Sequence, residues 1–198
     1  MTGETPFRVA LAFIIVPWMA LGVTFRGRAA KAGGQVDRSA EGPVLLVARV
    51  VLGLSGLLSL LAYWLNPAWM DWASVPLPAW LRWVGAGFCV AGLPLLFWVL
   101  TSLGLNISDT VAPRPNATLV TSGPYRWVRH PFYTFHVLSL VGFPLVMANW
   151  FVAVLALSGG VMVYFRALKE EALLKERFGD AYVKYAQQAG RFFPRLRK

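Results

Sequence analysis

The sequence predicts an all-α integral membrane protein: five transmembrane helices, the last two forming a C-terminal helical hairpin, followed by an amphipathic cytoplasmic helix. Three observations carry that expectation. Hydrophobic residues make up 57% of the 198 and charged residues only 14%, against about 25% charged in soluble domains. Apolar runs recur at lengths that match a bilayer, which takes about 20 helical residues to cross. The net charge of +10 lies beside those runs rather than along a polar face, which fits a membrane surface and speaks against nucleic acid as a partner.

Taken in order, the first three spans are residues 7–25, 44–65 and 83–105. The first is too long and too apolar for a cleaved leader and reads as an uncleaved helix. Pro17 and Pro94 fall inside spans, where neighbouring helices can satisfy the freed carbonyls. The next run, 132–165, contains no Asp, Glu, Lys or Arg. As a single helix its roughly 34 residues would reach about 50 Å, far more than a core of about 30 Å. Two short spans turning at residues 147–150 fit better, and the charges agree with them. Arg26, Arg28, Lys31 and Arg38, then Arg114, Arg126 and Arg129, then the basic C-terminus all fall on one side. By the positive-inside rule that side is cytoplasmic and the N-terminus is outside. The chain then divides at residue 104, with three helices over 1–104 and a loop, hairpin and surface helix over 105–198.

Several features drop out on this topology. The lone Cys89 sits within an apolar span, without a disulfide or metal-site partner, and no metal is expected. The sequons at Asn106 and Asn116 lie on the cytoplasmic side. Arg49, six residues into the second span, reads as a side chain snorkelling back to the surface.

The segment 123–133, GPYRWVRHPFY, carries the chemical signal. Pro131 suits the first turn of the fourth helix, which sets His130 at a helix N-terminus, a place that attracts anions. His130 and Tyr133 then share a face at i, i+3 spacing. His136 lies one turn deeper, where two readings stand: a functional group within the span, or a neutral imidazole bonded to a neighbouring helix. The hairpin brings Arg129 and His130 near Arg166, Glu170 and Glu171. Beyond Arg166 a stripe of Leu174, Phe178, Ala181 or Tyr182, and Tyr185 marks the amphipathic helix, with Gly179 as a break and Asp180 as the cap of a second short helix.

The stretches LVTSGPYRWVRHPFY and RALKEEALLKERFGDAYVKYAQQAGRFFP, in this order and spacing, resemble the isoprenylcysteine carboxyl methyltransferases and the related bacterial membrane and phospholipid methyltransferases. The resemblance covers roughly residues 105–195. It implies an S-adenosylmethionine-dependent transfer of a methyl group to a lipophilic acceptor arriving from the bilayer, at the cytoplasmic end of the bundle. It implies that Ala117, Thr118, Leu119, Val120, Tyr125, His130, Pro131, Phe132, Tyr133 and Glu170 surround the cofactor, and that Arg166 stands on the acceptor side, able to hold a carboxylate or phosphate. His130 is the residue there with acid–base capacity, shared with His136 if the acceptor is an amine or thiol. One position departs from the family: Phe135 stands where a Gly is usual. An alternative remains open at this stage, because membrane sterol and enone reductases that bind NADPH carry a similar His-Pro-Tyr segment before a hairpin.

Overall fold

The computed structural model describes residues 3–31, 39–108 and 110–195, and Arg38 lies outside them. Among the described residues there are six α-helices and no strands. We number them α1 (Thr5–Lys31), α2 (Pro43–Leu65), α3 (Ala79–Leu103), α4 (Pro131–Met147), α5 (Trp150–Phe178) and α6 (Asp180–Gln188). α1, α2, α5 and the stretch Ala79–Asn106 are long and apolar enough to cross a membrane. α4 is a shorter apolar helix of 17 residues, about 25 Å at the usual rise. Phe13, Val44, Leu58 and Leu157 are all exposed on the outside of the bundle, as expected of a surface whose solvent is lipid.

Helix ends follow backbone chemistry rather than hydropathy. α1 does not stop at Phe25 but continues through Arg26 and Arg28 to Lys31, so the basic residues expected in a loop extend the helix itself. Pro43 occupies the first turn of α2. The free carbonyls at the far end of α2 are taken by Arg8, whose guanidinium donates to Trp64 O (2.8 Å from Nε) and Leu65 O (3.2 Å). α3 starts at Ala79, four residues before the expected Trp83.

α4 ends where Ala148 takes the left-handed conformation, φ 48°. Asn149 then caps α5 by accepting from Val152 N at 3.1 Å, while its amide donates to Met70 O at 3.2 Å. α5 runs unbroken from Trp150 to Phe178. The chain beyond Arg166 is therefore no separate surface helix but the last three turns of α5, and Glu170 and Glu171 lie inside it. Gly179, φ 53°, ends α5 and is itself the N-terminal cap of α6; Asp180 makes no side-chain cap.

Two features set the bundle's frame. At the end away from the candidate site, the guanidinium of Arg82 donates to both oxygens of Glu4 (2.7 and 2.6 Å), to Tyr63 Oη (2.8 Å) and to Val146 O (3.0 Å). It also lies over the Phe7 ring, 3.7 Å from its centroid. The Arg82 hydrogen bonds hold the Glu4 carboxyl below the ordinary carboxylate range, despite partial burial. In mid-bundle α3 and α4 meet through small residues. A Cβ on Gly142 would fall 2.3 Å from Cys89 Sγ and 2.7 Å from Gly85 O, and one on Gly85 would fall 2.8 Å from Gly142 O. Backbones approach this closely only where side chains are absent.

This contact yields a direct test. Gly142→Ala should lose about 1–3 kcal/mol of stability through overpacking, read as a lower thermal midpoint in detergent. Gly159→Ala, whose added carbon would sit an ordinary 3.7 Å from Leu140, should leave the midpoint unchanged.

Candidate active site

The segment that enters α4 is stitched to the chain's end. Arg129 N donates to Gly190 O (2.7 Å), Gly190 N to Trp127 O (3.0 Å) and His130 N to Arg191 O (3.1 Å). Thr134 Oγ1 adds a bond to Phe192 O at 2.9 Å. Arg129 also closes α6, donating from one guanidinium nitrogen to Ala186 O (3.0 Å) and Ala189 O (2.6 Å), the carbonyls a helix end leaves open.

Glu171 gathers the charges around this strap. Its Oε1 accepts from Arg129 Nε at 2.9 Å and from Arg191 Nε at 3.0 Å, and lies 3.1 Å from His130 Nε2; its Oε2 accepts from Arg191 at 2.9 Å. The Arg191 guanidinium is held more firmly protonated by that carboxylate. Glu170, one residue earlier, faces the other way. It accepts from Tyr133 Oη at 3.0 Å and lies 3.7 Å from His130 Nδ1. The His130 ring, only 4% exposed, is stacked on Tyr133 with centroids 5.5 Å apart. His130 is thus a positioned group with a carboxylate at each ring nitrogen, rather than an open base.

One cavity of about 360 Å³ unites these groups. Of the residues expected from the sequence, Ala117, Thr118, Leu119, Val120, Tyr125, His130, Phe132, Tyr133, Arg166 and Glu170 all line it, and Pro131 does not. Pro131 is buried in the first turn of α4, where it shapes the helix start. The 117–120 strand of loop is fixed by Asn106, whose Oδ1 accepts from Thr118 N at 2.8 Å, so the side chain of that sequon has a structural partner. Tyr185 Oη donates to Tyr125 O at 2.7 Å, and burial pushes the Tyr125 phenol up, so it stays protonated. The stripe Leu174, Phe178, Tyr182 and Tyr185 packs with Leu119. It covers the cavity wall rather than lying on lipid.

Arg166 has a partner that the sequence does not reveal. It is paired with Glu41, from the short turn Ser39–Glu41 before α2. Glu41 also lies 3.0 Å from Arg49, and the Glu41 side chain has no exposed surface. Arg49 lines the cavity and is more than a snorkelling cation. Lys169 Nζ donates to Glu41 O at 2.9 Å. Glu41 is 125 positions from Arg166; the only local signal was an acid set directly against an apolar span. His136 also lines the cavity, its ring parallel to Phe132 (6.2 Å, 6°) and edge-on to Trp18 (5.9 Å). Its Nδ1 is buried with no hydrogen-bond partner among the described residues, so it is not bonded to a neighbouring helix through that atom.

The chain is similar to several known proteins. The profile of the isoprenylcysteine carboxyl methyltransferase (ICMT) family matches residues 84–176. That match spans just under half of the chain, 93 of its 198 residues. Among similar proteins, the cobalt-zinc-cadmium resistance protein CzcN of Cupriavidus metallidurans is 38% identical over 112 residues, 52% of this chain and 51% of that protein. A protein-S-isoprenylcysteine O-methyltransferase of Schizosaccharomyces pombe is 34% identical over 106 residues, 52% of this chain and 44% of that one. The structure of the eukaryotic intramembrane Ras methyltransferase ICMT aligns with a TM-score of 0.54 and 25% identity, covering 77% of this chain and 53% of that one. The chain spans about half the length of these relatives. Its apolar helices, together with likeness to an intramembrane ICMT, make it an integral membrane protein.

Glu171 offers the sharpest test of this geometry. Glu171→Gln removes the charge on which Arg129, His130 and Arg191 converge, and should cost about 2–3 kcal/mol, somewhat less than breaking a fully enclosed pair. Thermal unfolding in detergent measures it, with the exposed Glu176→Gln as a control expected to change nothing.

Proposed function

We propose that the chain is an S-adenosylmethionine-dependent membrane methyltransferase acting on a lipophilic acceptor, in the manner of an isoprenylcysteine carboxylate or lipid methyltransferase. The single observation that carries this reading is the cavity that brings the 117–120 loop, the RHPFY segment and Glu170 together. Its chemistry fits the cofactor. The Glu170 carboxylate with the Tyr133 hydroxyl suits an ammonium or ribose hydroxyls; Tyr125, Phe132 and Tyr133 offer aromatic surface to an adenine; and the start of α4 suits a carboxylate. A volume of about 360 Å³ falls within the usual range for small-molecule sites. Three of the four arginines on the cavity are engaged by acids, Arg129 by Glu171 and Arg49 and Arg166 by Glu41, which makes a cluster dedicated to a 2′-phosphate of NADPH the weaker reading.

When bound, S-adenosylmethionine supplies an electrophilic methyl group on a sulfonium. The chain's own part is to bind, align and exclude water. Glu170 is held toward the cavity by Tyr133, and His130, fixed by Glu171, forms the wall beside it. The 117–120 loop and the Tyr182–Tyr185 face of α6 cover the cavity from the side of the strap. Arg166, one helical turn from Glu170, orients the acceptor head. In this reading residues 105–198 carry the cofactor pocket and the helices of 1–104 complete the acceptor side.

The membrane placement belongs to the same proposal. α4 and α5 form a hairpin that adds a fourth and fifth span, α4 being short because its entry lies at the cavity. Arg26, Arg28, Lys31, Arg114, Arg126 and Arg129 then mark the cytoplasmic side. The arginines at the other end are internally occupied, Arg8 by helix-end carbonyls and Arg82 by Glu4, so they do not oppose that orientation. Cys89, the only native thiol, is buried, which makes labelling clean. Asp71→Cys should react with an impermeant maleimide from outside and Lys184→Cys only after the membrane is opened. Both reacting from one side would end the five-span reading.

Cofactor identity is tested by calorimetry on the purified protein. S-adenosylhomocysteine should bind, with Glu170→Ala weakening it by about ten-fold or more and Tyr133→Phe by less, as expected for loss of a charged and of a neutral hydrogen bond. Tight NADPH binding without a response to S-adenosylhomocysteine would transfer the case to a reductase.

A further inference from the structure

Among the described residues, Arg26 is the one side chain of α1 and Arg49 the one side chain of α2 that line the cavity. Away from the cavity, Leu60, Ala62 and Tyr63 of α2 pack with the core that holds Phe7, Leu11 and Ile14 of α1. Beside the cavity, the core joins Phe25 and Ala29 of α1 to Leu96, Leu100, Leu103 and Phe132, and no described residue of α2 takes part. The α1–α2 side of the cavity is thus bounded by two guanidiniums. Val23 and Leu46, each three residues before one of them, are exposed apolar side chains, a surface on which an acyl tail can lie.

Neither guanidinium is used up. Arg26 pairs with no acid among the described residues, and its charge acts on both His136 and Arg166. Arg49 lies 3.0 Å from Glu41 Oε2, yet that oxygen accepts no hydrogen bond, and Arg49 Nε is buried without a partner. A buried N–H left unmade is costly, so Arg49 favours a ligand that accepts from it. Charge points the same way. Four arginines line the cavity against one carboxylate, Glu170, and with Glu41 and Glu171 behind them one cation is still in excess. S-adenosylmethionine, with a sulfonium and an ammonium against a single carboxylate, adds a further positive charge.

We propose that Arg26 and Arg49 form an anion-holding edge on the α1–α2 side of the cavity, and that they select acceptors with an anionic oxyacid head on an apolar tail. The inference rests on the methyltransferase reading above and names its acceptor class. A guanidinium offers an oxyacid two parallel N–H donors, which fixes the head as well as attracting it. Arg166, already met by Glu41, then shares the head with the two arginines instead of holding it alone. Both lie outside the family-matched residues 84–176, so acceptor choice is separable from the shared pocket.

The test titrates dodecanoate and its neutral counterpart, methyl dodecanoate, calorimetrically into the purified protein in detergent with S-adenosylhomocysteine present, buffered above neutrality and with protein-free micelles as the blank. The wild type should bind dodecanoate about ten-fold more tightly than the ester, and acetate, which has no tail, should not compete. Arg26→Gln should weaken dodecanoate about five-fold or more and leave the ester unchanged. Arg28→Gln, which removes an equal charge from a residue off the cavity, should change neither. Arg49→Gln should act as Arg26→Gln does, and if it does not fold the Arg26 comparison decides alone. Equal wild-type affinity for the two probes overturns the proposal, as does competition by acetate, or an Arg26→Gln protein whose dodecanoate affinity matches that of Arg28→Gln. Failure of S-adenosylhomocysteine to bind is a distinct result that defeats the methyltransferase reading, and the two probes still report on the arginines in its absence.

Discussion

A carboxylate inside a helix bundle is expensive unless cations meet it, and Glu171 is met by three. Arg129 and His130 arrive from the segment entering α4, Arg191 from the chain's end, and Glu171 itself from α5. Three separate stretches of the chain are thereby fixed relative to one another. The consequences spread outward. Arg129, anchored by its Nε, uses one of its two terminal nitrogens to close α6. α6, so placed, turns Tyr182 and Tyr185 onto Leu119. Because Glu171 takes the outward side of the strap, Glu170 is left to face the cavity with Tyr133. Two adjacent glutamates thus have opposite tasks, one joining the strap and one presenting a carboxylate.

The spans were legible because lipid allows so few solutions. A run of apolar residues at bilayer length reads as a helix almost regardless of detail, and the break at 147–150 followed from length and charge. Helix boundaries were less legible, for a physical reason that recurs in α1 and α5. A span ends where hydropathy changes, whereas a helix ends where the backbone must change. After Phe165 the residues become polar yet remain good helix formers, with no Gly or Pro to stop α5 before Gly179, and α1 likewise runs on past Phe25, through Gly27, to Lys31. The strap residues were legible through their motif. Glu41 was not, because nothing near position 41 specifies a partner 125 residues away. Arg191 was hidden in the same way: its pairing with Glu171 depends on α6 folding back across the end of α5.

The two ends of the bundle treat arginine differently. At one end Arg82 and Arg8 are neutralised or spent on carbonyls. At the other, three of the arginines that line the cavity are paired with acids, Arg49 and Arg166 with Glu41 and Arg129 with Glu171. Pairing there fixes positions as well as charge, since a guanidinium that meets a carboxylate is confined to a narrow set of orientations.

This gives the bundle a rigid side and an adjustable one. The seam of α3 and α4, closed by Gly85, Cys89 and Gly142, leaves little freedom to the face that carries His130, Phe132, Tyr133 and His136. Any change there would shift the Glu170 side of the cavity as well. α1 and α2 contribute Arg26 and Arg49 to the cavity, through side chains rather than through a tight backbone seam. A change of charge or length in those positions alters the polarity offered to an acceptor while the strap, Glu170 and the 117–120 loop stay where they are. In the proposed reading, one cofactor pocket can therefore serve acceptors of different head-group chemistry, with the choice made by residues that the family-wide segment does not contain.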